Sequence, residues 1–532
     1  MQTVLVANRG EIALRVFRAA RALDLRTVAV VAPDDAGSLH ARSADQTVEI
    51  GSYLRAEEHI RAALQSGADA VHPGYGFLAE SADFAEAVEA AGLIWVGPPP
   101  EALRRGGEKL EAKRIAAAAG VPTVPEADAP PLIVKAAAGG GGRGMRVVRT
   151  ANELAPALEA ARREAQAGFG DDRVYLERYL ERPRHVEIQL LADAHGTVLS
   201  LGERECSVQR RHQKVLEESP SPAVDPDLRT RMSDAAVRFA TAIGYVGAGT
   251  AEFVLDGGEF FFLELNGRIQ VEHPVTEAVT GVDLVQWQLR IARGEKLELA
   301  VQQRGAAVEV RLYAEDPRTF LPQTGTVERL RLPSSIRVES AVAEGDEVGI
   351  AYDPMIAKLI ASGATRDEAF DRLAAALADT EVAGVTTNLP FLRWLVSHPA
   401  VRAGETTTAF LTEYPPLSAP PRALPAGVWR GGFRLNLPTA PLAAAPDLDS
   451  LAVDHSAGGG GPRTVVAPMP GTVISLKVHE GSTVKAGEPL VVLEAMKMET
   501  PLTSPYDAVV RAVHVQEGDR VAGGALLVEL DG

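Results

Sequence analysis

The middle of the chain reads Ala251-Glu252-Phe253-Val254-Leu255-Asp256-Gly257-Gly258-Glu259-Phe260-Phe261-Phe262-Leu263-Glu264-Leu265-Asn266. Two largely apolar runs flank an Asp-Gly-Gly turn, and this pattern predicts a β-hairpin. Glu264, Asn266 and Arg268 alternate by two, so they share one face for as long as the second strand lasts, and Glu252 can face them across the ladder. Two carboxylates and an amide oxygen suit a Mg²⁺ ion that bridges nucleotide phosphates. The alternative, a solvated polar face, is disfavoured because apolar residues dominate both strands.

A glycine-rich loop upstream of the hairpin indicates a phosphate site. It runs from Lys135 to Gly144, contains four successive glycines and follows an apolar strand at 132–134. Glycines let backbone N–H groups approach phosphate oxygens without hindrance from a Cβ. The loop does not end in Gly-Lys-Ser/Thr, so it is not a Walker A loop. A plain flexible loop is the alternative, but the preceding strand, Lys135 and the upstream Lys109 favour nucleotide binding.

The N-terminal residues alternate as in a parallel α/β unit. Apolar runs at 3–8 and 27–32 flank a segment, 11–24, that repeats apolar residues on one helical face. Strand, helix and strand in this order predict parallel strands. Further strands are expected at 68–72 and 93–96. This N-terminal part, up to about residue 106, lacks a Gly-x-Gly-x-x-Gly motif, so no dinucleotide site is predicted in it.

Residues 464–532 contain an internal repeat with an offset of 37 residues. The first half matches the second at Pro468, Val473, Val478, Gly481, Val484, Gly487, Leu490 and Leu493, which correspond to Pro505, Val510, Val515, Gly518, Val521, Gly524, Leu527 and Leu530. Two such strand sets facing each other would bury the shared Val and Leu positions in a small sandwich. Lys497 lies between the halves, in Glu494-Ala495-Met496-Lys497-Met498-Glu499, where a hairpin tip would expose its ammonium to covalent modification. An ordinary surface lysine is the alternative, and the two flanking methionines disfavour it.

Composition narrows the class of protein. At 532 residues, the chain is long enough for three to five domains, and a net charge of −17 argues against nucleic-acid binding. It has no apolar run long enough for a membrane span and no visible signal peptide, so we expect a cytoplasmic protein. The single cysteine, Cys206, excludes an intrachain disulfide and a cysteine-based zinc site. We interpret it as structural rather than as a thiolate catalyst.

Four further motifs complete the pattern. They are Asn8-Arg9-Gly10-Glu11-Ile12-Ala13, His72-Pro73-Gly74-Tyr75-Gly76-Phe77-Leu78, Glu203-Arg204-Glu205-Cys206-Ser207-Val208-Gln209-Arg210-Arg211-His212-Gln213-Lys214 and Asn266-Gly267-Arg268-Ile269-Gln270-Val271-Glu272-His273-Pro274-Val275-Thr276-Glu277. With the hairpin and the glycine loop, residues 1–414 resemble biotin carboxylase, an ATP-grasp enzyme. Residues 464–532 resemble the biotinyl domain of biotin-dependent carboxylases, whose Ala-Met-Lys-Met lysine carries biotin. The lipoyl domain shares that fold but seldom has Met on both sides of its lysine.

The resemblance implies a multidomain fold of α/β and α+β parts with an all-β C-terminal domain. We expect an N-terminal pre-ATP-grasp domain at 1–106 and an ATP-grasp domain at 107–304. A biotin carboxylase C-terminal domain is expected at 305–414, a Pro/Gly-rich linker at 415–463 and a biotinyl, lipoyl-like domain at 464–532.

The resemblance also assigns roles to individual residues. ATP contacts are expected from Lys109, Lys135, Gly141, Gly142, Glu177, Leu180, His185 and His212. Glu252, Glu264 and Asn266 are expected to hold Mg²⁺ or Mn²⁺, with the two glutamates also at the ATP site. Lys214, Arg268, Gln270 and Val271 are expected to bind bicarbonate, with Glu272 as its general base. Arg337 is expected to face the ureido oxygen of biotin carried on Lys497.

By resemblance, the chain is the alpha subunit of an acyl-CoA carboxylase of the acetyl- or propionyl-CoA type, with a place in fatty acid biosynthesis. It is expected to carboxylate biotin through carboxyphosphate and to supply a separate carboxyltransferase (beta) subunit. Other expected partners are a biotin protein ligase and a second copy of the carboxylase part. Three alternatives stay open: the ATP-dependent subunit of a pyruvate carboxylase, a biotin carrier or scaffold with an inactive ATP-grasp half, and an unrelated ATP-grasp ligase with a lipoyl carrier.

Two stretches depart from the family pattern. Only residues 123–131 separate Pro122 from the strand that carries Lys135, where the family has a longer segment with a helix. This shortened lid is expected to weaken water exclusion and nucleotide affinity. The 415–463 stretch is too short for the β-rich domain that often joins the two subunits.

Overall fold

The structure is a computed structural model. It describes residues 1–137, 145–210, 213–349, 351–418, 464–469, 471–495, 498–521 and 523–531, without the side chains of 167–169, 495 and 498–500. Within these residues, no helix is both long and apolar enough to cross a membrane.

The N-terminal part is built on a five-stranded sheet in the order β3-β2-β1-β4-β5, and all its pairs are parallel. Its elements are β1 (Thr3–Val6), α1 (Gly10–Arg21), β2 (Arg26–Val31), α2 (Leu39–Ser43), β3 (Gln46–Glu49), α3 (Ala56–Ser66), β4 (Ala70–His72), α4 (Ala82–Ala90), β5 (Ile94–Trp95) and α5 (Pro100–Gly107). The central strand β1 is buried along its whole length, as expected of a strand covered on both faces. The predicted parallel α/β unit is confirmed.

The next part contributes five neighbouring strands of an antiparallel sheet and a smaller sheet of its own. Its elements are α6 (Lys109–Ala118), β6 (Leu132–Ala136), β7 (Arg146–Val148), α7 (Ala151–Phe169), β8 (Val174–Arg178), β9 (Arg184–Ala192), β10 (Val198–Arg210), β11 (Gln213–Ser219), α8 (Pro226–Ile243), β12 (Gly247–Asp256), β13 (Glu259–Asn266), α9 (His273–Thr280) and α10 (Leu284–Ala292). Helix α8 packs against this sheet through Met232, Phe239 and Ile243.

The third part extends the same sheet. Its elements are β14 (Ala306–Tyr313), β15 (Gly325–Thr326), β16 (Arg329–Arg331), β17 (Arg337–Ser340), β18 (Glu347–Val348), β19 (Met355–Gly363), α11 (Arg366–Asp379), β20 (Glu381–Ala383), α12 (Leu389–Ser397), α13 (Pro399–Arg402) and α14 (Phe410–Glu413). Strand β11 pairs with β14, so one eight-stranded sheet runs β13-β12-β9-β10-β11-β14-β19-β17. The sheet thus continues across the boundary expected near residue 304, which places side chains from both sides on one surface.

The lid over the predicted nucleotide site consists of the small sheet β7-β6-β8 and helix α7. Residues 119–131, which connect α6 to β6, contain no helix. This connecting segment, residues 119–131, is called the strap below. It forms two isolated β-bridges: Thr123 pairs with Phe262 of β13, and Glu126 pairs with Glu177 of β8. The lid is therefore joined to the hairpin strand by a short, hydrogen-bonded segment.

The C-terminal part forms two four-stranded sheets, β21-β28-β26-β23 and β25-β24-β22-β27. Its strands are β21 (Thr464–Val466), β22 (Gly471–Leu476), β23 (Thr483–Val484), β24 (Pro489–Ala495), β25 (Met498–Thr503), β26 (Ala508–Val513), β27 (Arg520–Val521) and β28 (Leu526–Asp531). Every matched Val and Leu of the repeat lies in its buried core, as predicted. The four repeat glycines, at 481, 487, 518 and 524, all have φ between 81° and 95°, which explains why each half needs glycine there.

These parts agree with the predicted fold class of α/β and α+β domains with an all-β C-terminal domain. Of the expected linker at 415–463, only residues 415–418 lie within the described part of the chain.

Candidate functional site

A row of charged side chains crosses the eight-stranded sheet. Glu264 on β13 pairs with Glu252 on β12, Glu252 pairs with Glu187 on β9, and Glu187 pairs with Arg204 on β10. Directly paired residues present their side chains on one face. The predicted hairpin and the placement of Glu252 opposite Glu264 are confirmed. Glu187 was missed, although a glutamate inside the apolar strand at 184–192 was a usable signal.

Glu252 and Glu264 form a donor set that fits a divalent cation. Burial and the neighbouring Glu252 charge raise the pKa of Glu264. Burial would also raise the pKa of Glu252, but the charges of Lys214 and His185 hold it well below its usual range. Asn266 Nδ2 donates to Glu252 Oε1 at 2.8 Å. A cation would relieve the repulsion between the two carboxylates, and oxygen donors of this kind suit Mg²⁺.

Lys214 joins three carboxylates. Its Nζ donates to Glu272 Oε1 at 2.6 Å, to Glu252 Oε1 at 3.0 Å and to Glu187 Oε2. Burial alone would lower the pKa of Lys214, but the charges of these three glutamates raise it well above its usual value. The lysine is therefore a fixed positive charge between the phosphate-side carboxylate Glu252 and the predicted base Glu272.

Glu272 immediately precedes α9 and is fully buried. Its second oxygen accepts from Arg311 Nη2 at 3.0 Å. Burial opposes the charged carboxylate, but Lys214, Arg311 and Arg204 hold the pKa of Glu272 well below its usual range. Glu272 is thus ionised, as a group that accepts a proton must be. Arg311 was missed because it lies on β14, outside the motifs that point to the site.

Arg268 lies just beyond the end of β13, where the alternation of the strand no longer applies. Its three guanidinium nitrogens donate to Glu80 Oε2 at 3.0 Å, Gln270 Oε1 at 2.9 Å and Asn266 Oδ1 at 3.0 Å. Gln270 Nε2 in turn donates to Glu252 Oε1 at 3.2 Å. The predicted anion-binding side chains Arg268 and Gln270 are therefore tied to the predicted metal ligands.

A buried lysine, Lys358, forms a hydrogen bond with the backbone of Val271. Lys358 Nζ donates to the Val271 carbonyl at 2.7 Å and lies 3.1 Å from Glu11 Oε1, which also accepts from the Tyr75 hydroxyl. The Asn8–Ala13 and His72–Leu78 motifs thus meet the 266–277 motif at one point. Lys358 itself carried no motif and was not predicted.

Lysines gather at the lid. Lys135 Nζ lies 2.6 Å from Glu177 Oε2, and Lys113 Nζ donates to Glu177 Oε1 at 2.8 Å. Burial and the charge of Lys135 lower the pKa of the nearby Lys109. An anion would satisfy these ammonium groups, so the predicted contacts Lys109, Lys135 and Glu177 are brought together at a site suited to phosphates. Lys113, one turn beyond Lys109 on α6, was missed.

Leu180 and His185 lie near the strap. Leu180 packs against the buried group formed by Val124, Val254 and Phe261. His185 pairs with Val254 in the sheet, and its Nε2 lies 3.0 Å from Glu252 Oε2. The two predicted ATP contacts therefore flank an apolar patch next to the carboxylates.

Arg337, on β17, belongs to a separate ion-pair cluster. Its Nη1 lies 2.8 Å from Glu277 Oε2, and its Nη2 lies 2.8 Å from Glu339 Oε1. These three residues, with Arg15 and Arg18, line a cavity of about 620 Å³. Arg337 is 33% exposed and so can reach a ligand there.

Cys206 is fully buried beside the cluster. Burial, together with the charge of Glu187, raises the pKa of the thiol well above its usual value. A neutral thiol is a poor nucleophile, which agrees with its interpretation as a structural residue. Four predicted site residues, Gly141, Gly142, His212 and Lys497, lie outside the described residues.

The hairpin formed by β24 and β25 closes at the pair Ala495 and Met498. In the sequence, Met496 and Lys497 come between these two residues, and both lie outside the described part of the chain. The attachment of biotin to Lys497 therefore stays a prediction.

Known protein families match almost the whole chain. The "Biotin carboxylase, N-terminal domain" model matches residues 1–103, and the "Carbamoyl-phosphate synthase L chain, ATP binding domain" model matches 109–300. The "Biotin carboxylase C-terminal domain" model matches 309–413, and the "Biotin-requiring enzyme" model matches 463–530.

A biotin carboxylase from Halalkalibacterium halodurans is 47% identical over 77% of this chain and 97% of its own length. The chain belongs to the biotin carboxylase family. A biotin-dependent acyl-coenzyme A carboxylase alpha3 subunit from Mycobacterium leprae is 41% identical over 99% of this chain and 98% of its own length. The chain therefore joins a region that matches the biotin carboxylase family to a C-terminal region that matches the biotin-requiring enzyme model.

Among solved structures, the biotin carboxylase domain of the Hydrogenobacter thermophilus 2-oxoglutarate carboxylase, a dimer in complex with MgADP and bicarbonate, is similar with a TM-score of 0.76 and 43% identity. The similarity covers 78% of this chain and 98% of that one. Other relatives are longer: the chain spans 60% of the mitochondrial methylcrotonoyl-CoA carboxylase subunit alpha of rice, at 48% identity.

Proposed function

We propose that this protein carboxylates biotin, using ATP and bicarbonate, and supplies carboxybiotin to a separate carboxyltransferase that acts on an acyl-CoA. Its cofactors are biotin, ATP and Mg²⁺ or Mn²⁺. The observation that carries the proposal is the contact of one ammonium, Lys214 Nζ, with both Glu252 and Glu272. This contact joins the carboxylate that faces nucleotide phosphates to the base that faces bicarbonate, and the reaction needs those two substrates in contact.

Glu272 takes the proton from bicarbonate. Its low pKa in the free protein makes it a weak base, but a bound anion competes for Lys214 and weakens the hold on Glu272. Arg268 forks onto the planar anion and keeps its oxygen aimed at the γ-phosphate. The oxygen–phosphorus bond forms as the bond to ADP breaks, giving carboxyphosphate and ADP.

The metal would be held by Glu252, Glu264 and the Asn266 amide oxygen, and would neutralise charge on the transferring phosphate. Lys109, Lys135 and Glu177 from the lid side, with the glycine loop, position the nucleotide. The strap that connects the lid to the rest of the protein is short. We therefore expect the lid to exclude water from ATP less completely than a longer lid would.

Biotin reacts in the step that follows the formation of carboxyphosphate. Carboxyphosphate breaks down to CO₂ and phosphate, phosphate removes the N1′ proton, and the new bond forms between N1′ and CO₂. Arg337 stabilises the negative charge that develops on the ureido oxygen. Lys497 is the proposed attachment site, loaded by a biotin protein ligase. The carboxylase part pairs with a second copy, as the biotin carboxylase domain of the 2-oxoglutarate carboxylase does. The acyl-CoA acceptor is proposed from the acyl-CoA carboxylase relatives, and the cytoplasmic location from the composition alone.

Steady-state ADP release by the full-length chain tests this function, with bicarbonate present or omitted and free biotin titrated. We expect release that needs bicarbonate and rises with biotin. Arg337→Ala should abolish the rise with biotin, whereas Arg331→Ala, at an exposed arginine on β16, should leave it intact. The proposal would be refuted if folded protein saturated with Mg-ATP released ADP at a rate that depends on neither bicarbonate nor biotin.

A further inference from the structure

Glu277 lies between two arginines from distant parts of the chain. Its Oε2 faces Arg337 Nη1 at 2.8 Å. Its Oε1 accepts from Arg15 Nη2 at 2.9 Å and from the Leu284 backbone N–H at 2.7 Å. The carboxylate is 94% buried, so neither contact is screened by water. The two oxygens therefore have different partners: Oε2 pairs with Arg337, and Oε1 accepts from Arg15 and the Leu284 backbone.

Arg337 also forms an ion pair with a second carboxylate, that of Glu339. Its Nε and Nη2 donate to Glu339 Oε1 at 2.9 and 2.8 Å, and Glu339 is itself paired with Arg18. A guanidinium held by a carboxylate at each end has little freedom to rotate, yet a third of the side chain stays open to the cavity. It is positioned before any ligand arrives.

Glu277 also belongs to the helix that begins at the proposed base. Glu272 immediately precedes α9, and Glu277 lies within it. At a rise of 1.5 Å per residue, about 7–8 Å along the axis separates the two. One rigid turn and a half of helix thus connects the group that activates bicarbonate to the group that holds Arg337.

We propose that Glu277 is a positioning residue for biotin carboxylation, which fixes Arg337 at the distance from Glu272 that the transfer of the carboxyl group requires. This inference rests on the proposed function of Arg337. It adds a residue that touches neither ATP nor bicarbonate and acts only through the guanidinium. Its loss must therefore affect the step that uses biotin more than the step that cleaves ATP.

Glu277→Gln is a sharp test, since the side chain keeps its shape. The amide oxygen goes to the Oε1 position, where Arg15 and the Leu284 N–H both donate, so the amide N–H₂ meets Arg337 as a second donor. We expect kcat/KM for free biotin to fall at least tenfold more than biotin-independent, bicarbonate-dependent ADP release. Glu339→Gln, which weakens the other grip, should shift the same ratio in the same direction.

Asp283→Asn is the matched control. Asp283 also pairs with Arg15, at 2.7 Å, but does not contact Arg337, and asparagine preserves its cap on α10. We expect both rates to change together in this variant. Equal losses of the two rates in Glu277→Gln would overturn the proposal, because that result describes a merely structural residue.

A double-mutant cycle separates this inference from the function on which it rests. In an Arg337→Ala background, Glu277→Gln should have no further effect on biotin-dependent turnover. A full additional loss in that background would refute action through Arg337. If Arg337→Ala alone left biotin-dependent turnover intact, the assignment of Arg337 would fail instead.

Discussion

Lys214 Nζ, from β11 of the eight-stranded sheet, donates to Glu272 Oε1 at 2.6 Å. The same ammonium also contacts Glu252 and Glu187, so one lysine links a cluster of three buried carboxylates. The lysine lies on β11, two of the carboxylates lie on β9 and β12, and the third, Glu272, immediately precedes α9. Catalytic geometry and folding stability therefore depend on the same residue.

Replacing Lys214 by methionine should destabilise the protein by about 3–5 kcal/mol, because three carboxylates lose their shared buried partner. The measurement is urea unfolding at pH 7.5. Since protonation relieves the carboxylates, the loss should shrink as the pH falls toward 5. Lys296→Met, at an exposed lysine, is the control, and a loss no greater than in that control would contradict the cluster.

Glu272→Gln should lower bicarbonate-dependent ADP release by about 10²–10⁴-fold, the usual range for loss of a general base. Glutamine keeps the size of the side chain and an acceptor for Arg311, so Mg-ATP binding should persist. Equilibrium binding of a fluorescent nucleotide would confirm this. Retention of more than a tenth of the bicarbonate-dependent rate would remove Glu272 from the role of base.

The local parts of the site could be predicted from the sequence. The hairpin 251–266, its facing glutamates and the 37-residue repeat all follow from spacings of a few residues, and the missing lid helix follows from a short gap. Side-chain periodicity encodes such features directly. Residues that contribute from elsewhere could not be found in this way.

The missed contacts are those between distant segments. Lys358 reaches Val271 across 87 positions, and Arg15 reaches Glu277 across 262. The continuation of the sheet from β11 to β14 is of the same kind. No periodicity records such a pairing, because it arises only when separate elements pack. The sequence did offer one signal, a charged residue inside an apolar strand, such as Glu187 or Glu309. Charged side chains are rarely fully buried unless they are paired, so such a residue indicates a partner from another segment.

Glu309 should make the protein less stable as the pH rises. Its carboxyl is fully buried, neither oxygen has a hydrogen-bond partner within the described residues, and burial raises its pKa well above the usual value. The folded state thus holds a proton that the unfolded state releases above about pH 4.5, so stability falls with rising pH by up to about 1.4 kcal/mol per unit. Glu309→Gln should flatten this slope in urea unfolding between pH 5 and 8. Glu259→Gln, at an exposed position of β13, should leave it unchanged, and equal slopes in all three proteins would disprove the effect.

Cys206 should be inert in the native protein. Its thiol is fully buried and its pKa is raised, so little thiolate forms at neutral pH. A colorimetric disulfide reagent should label no thiol in buffer and one per chain in 6 M guanidinium chloride. Cys206→Ala should keep at least half of the biotin-dependent turnover. Rapid native labelling, or loss of turnover in that variant, would reinstate a chemical role for the thiol.

Biotin attachment should depend on Lys497 and on no other lysine of its domain. The residues flanking the predicted tip, Ala495 and Met498, are paired in the sheet, and the domain contains two further lysines, Lys477 and Lys485. Co-expression with a biotin protein ligase should add the mass of one biotinyl group to the wild-type chain and none to Lys497→Arg. Lys477→Arg and Lys485→Arg, which test whether an exposed ammonium alone is enough, should both be modified in full. Because these three variants differ only in position, modification of Lys497→Arg would show that the hairpin does not select the lysine.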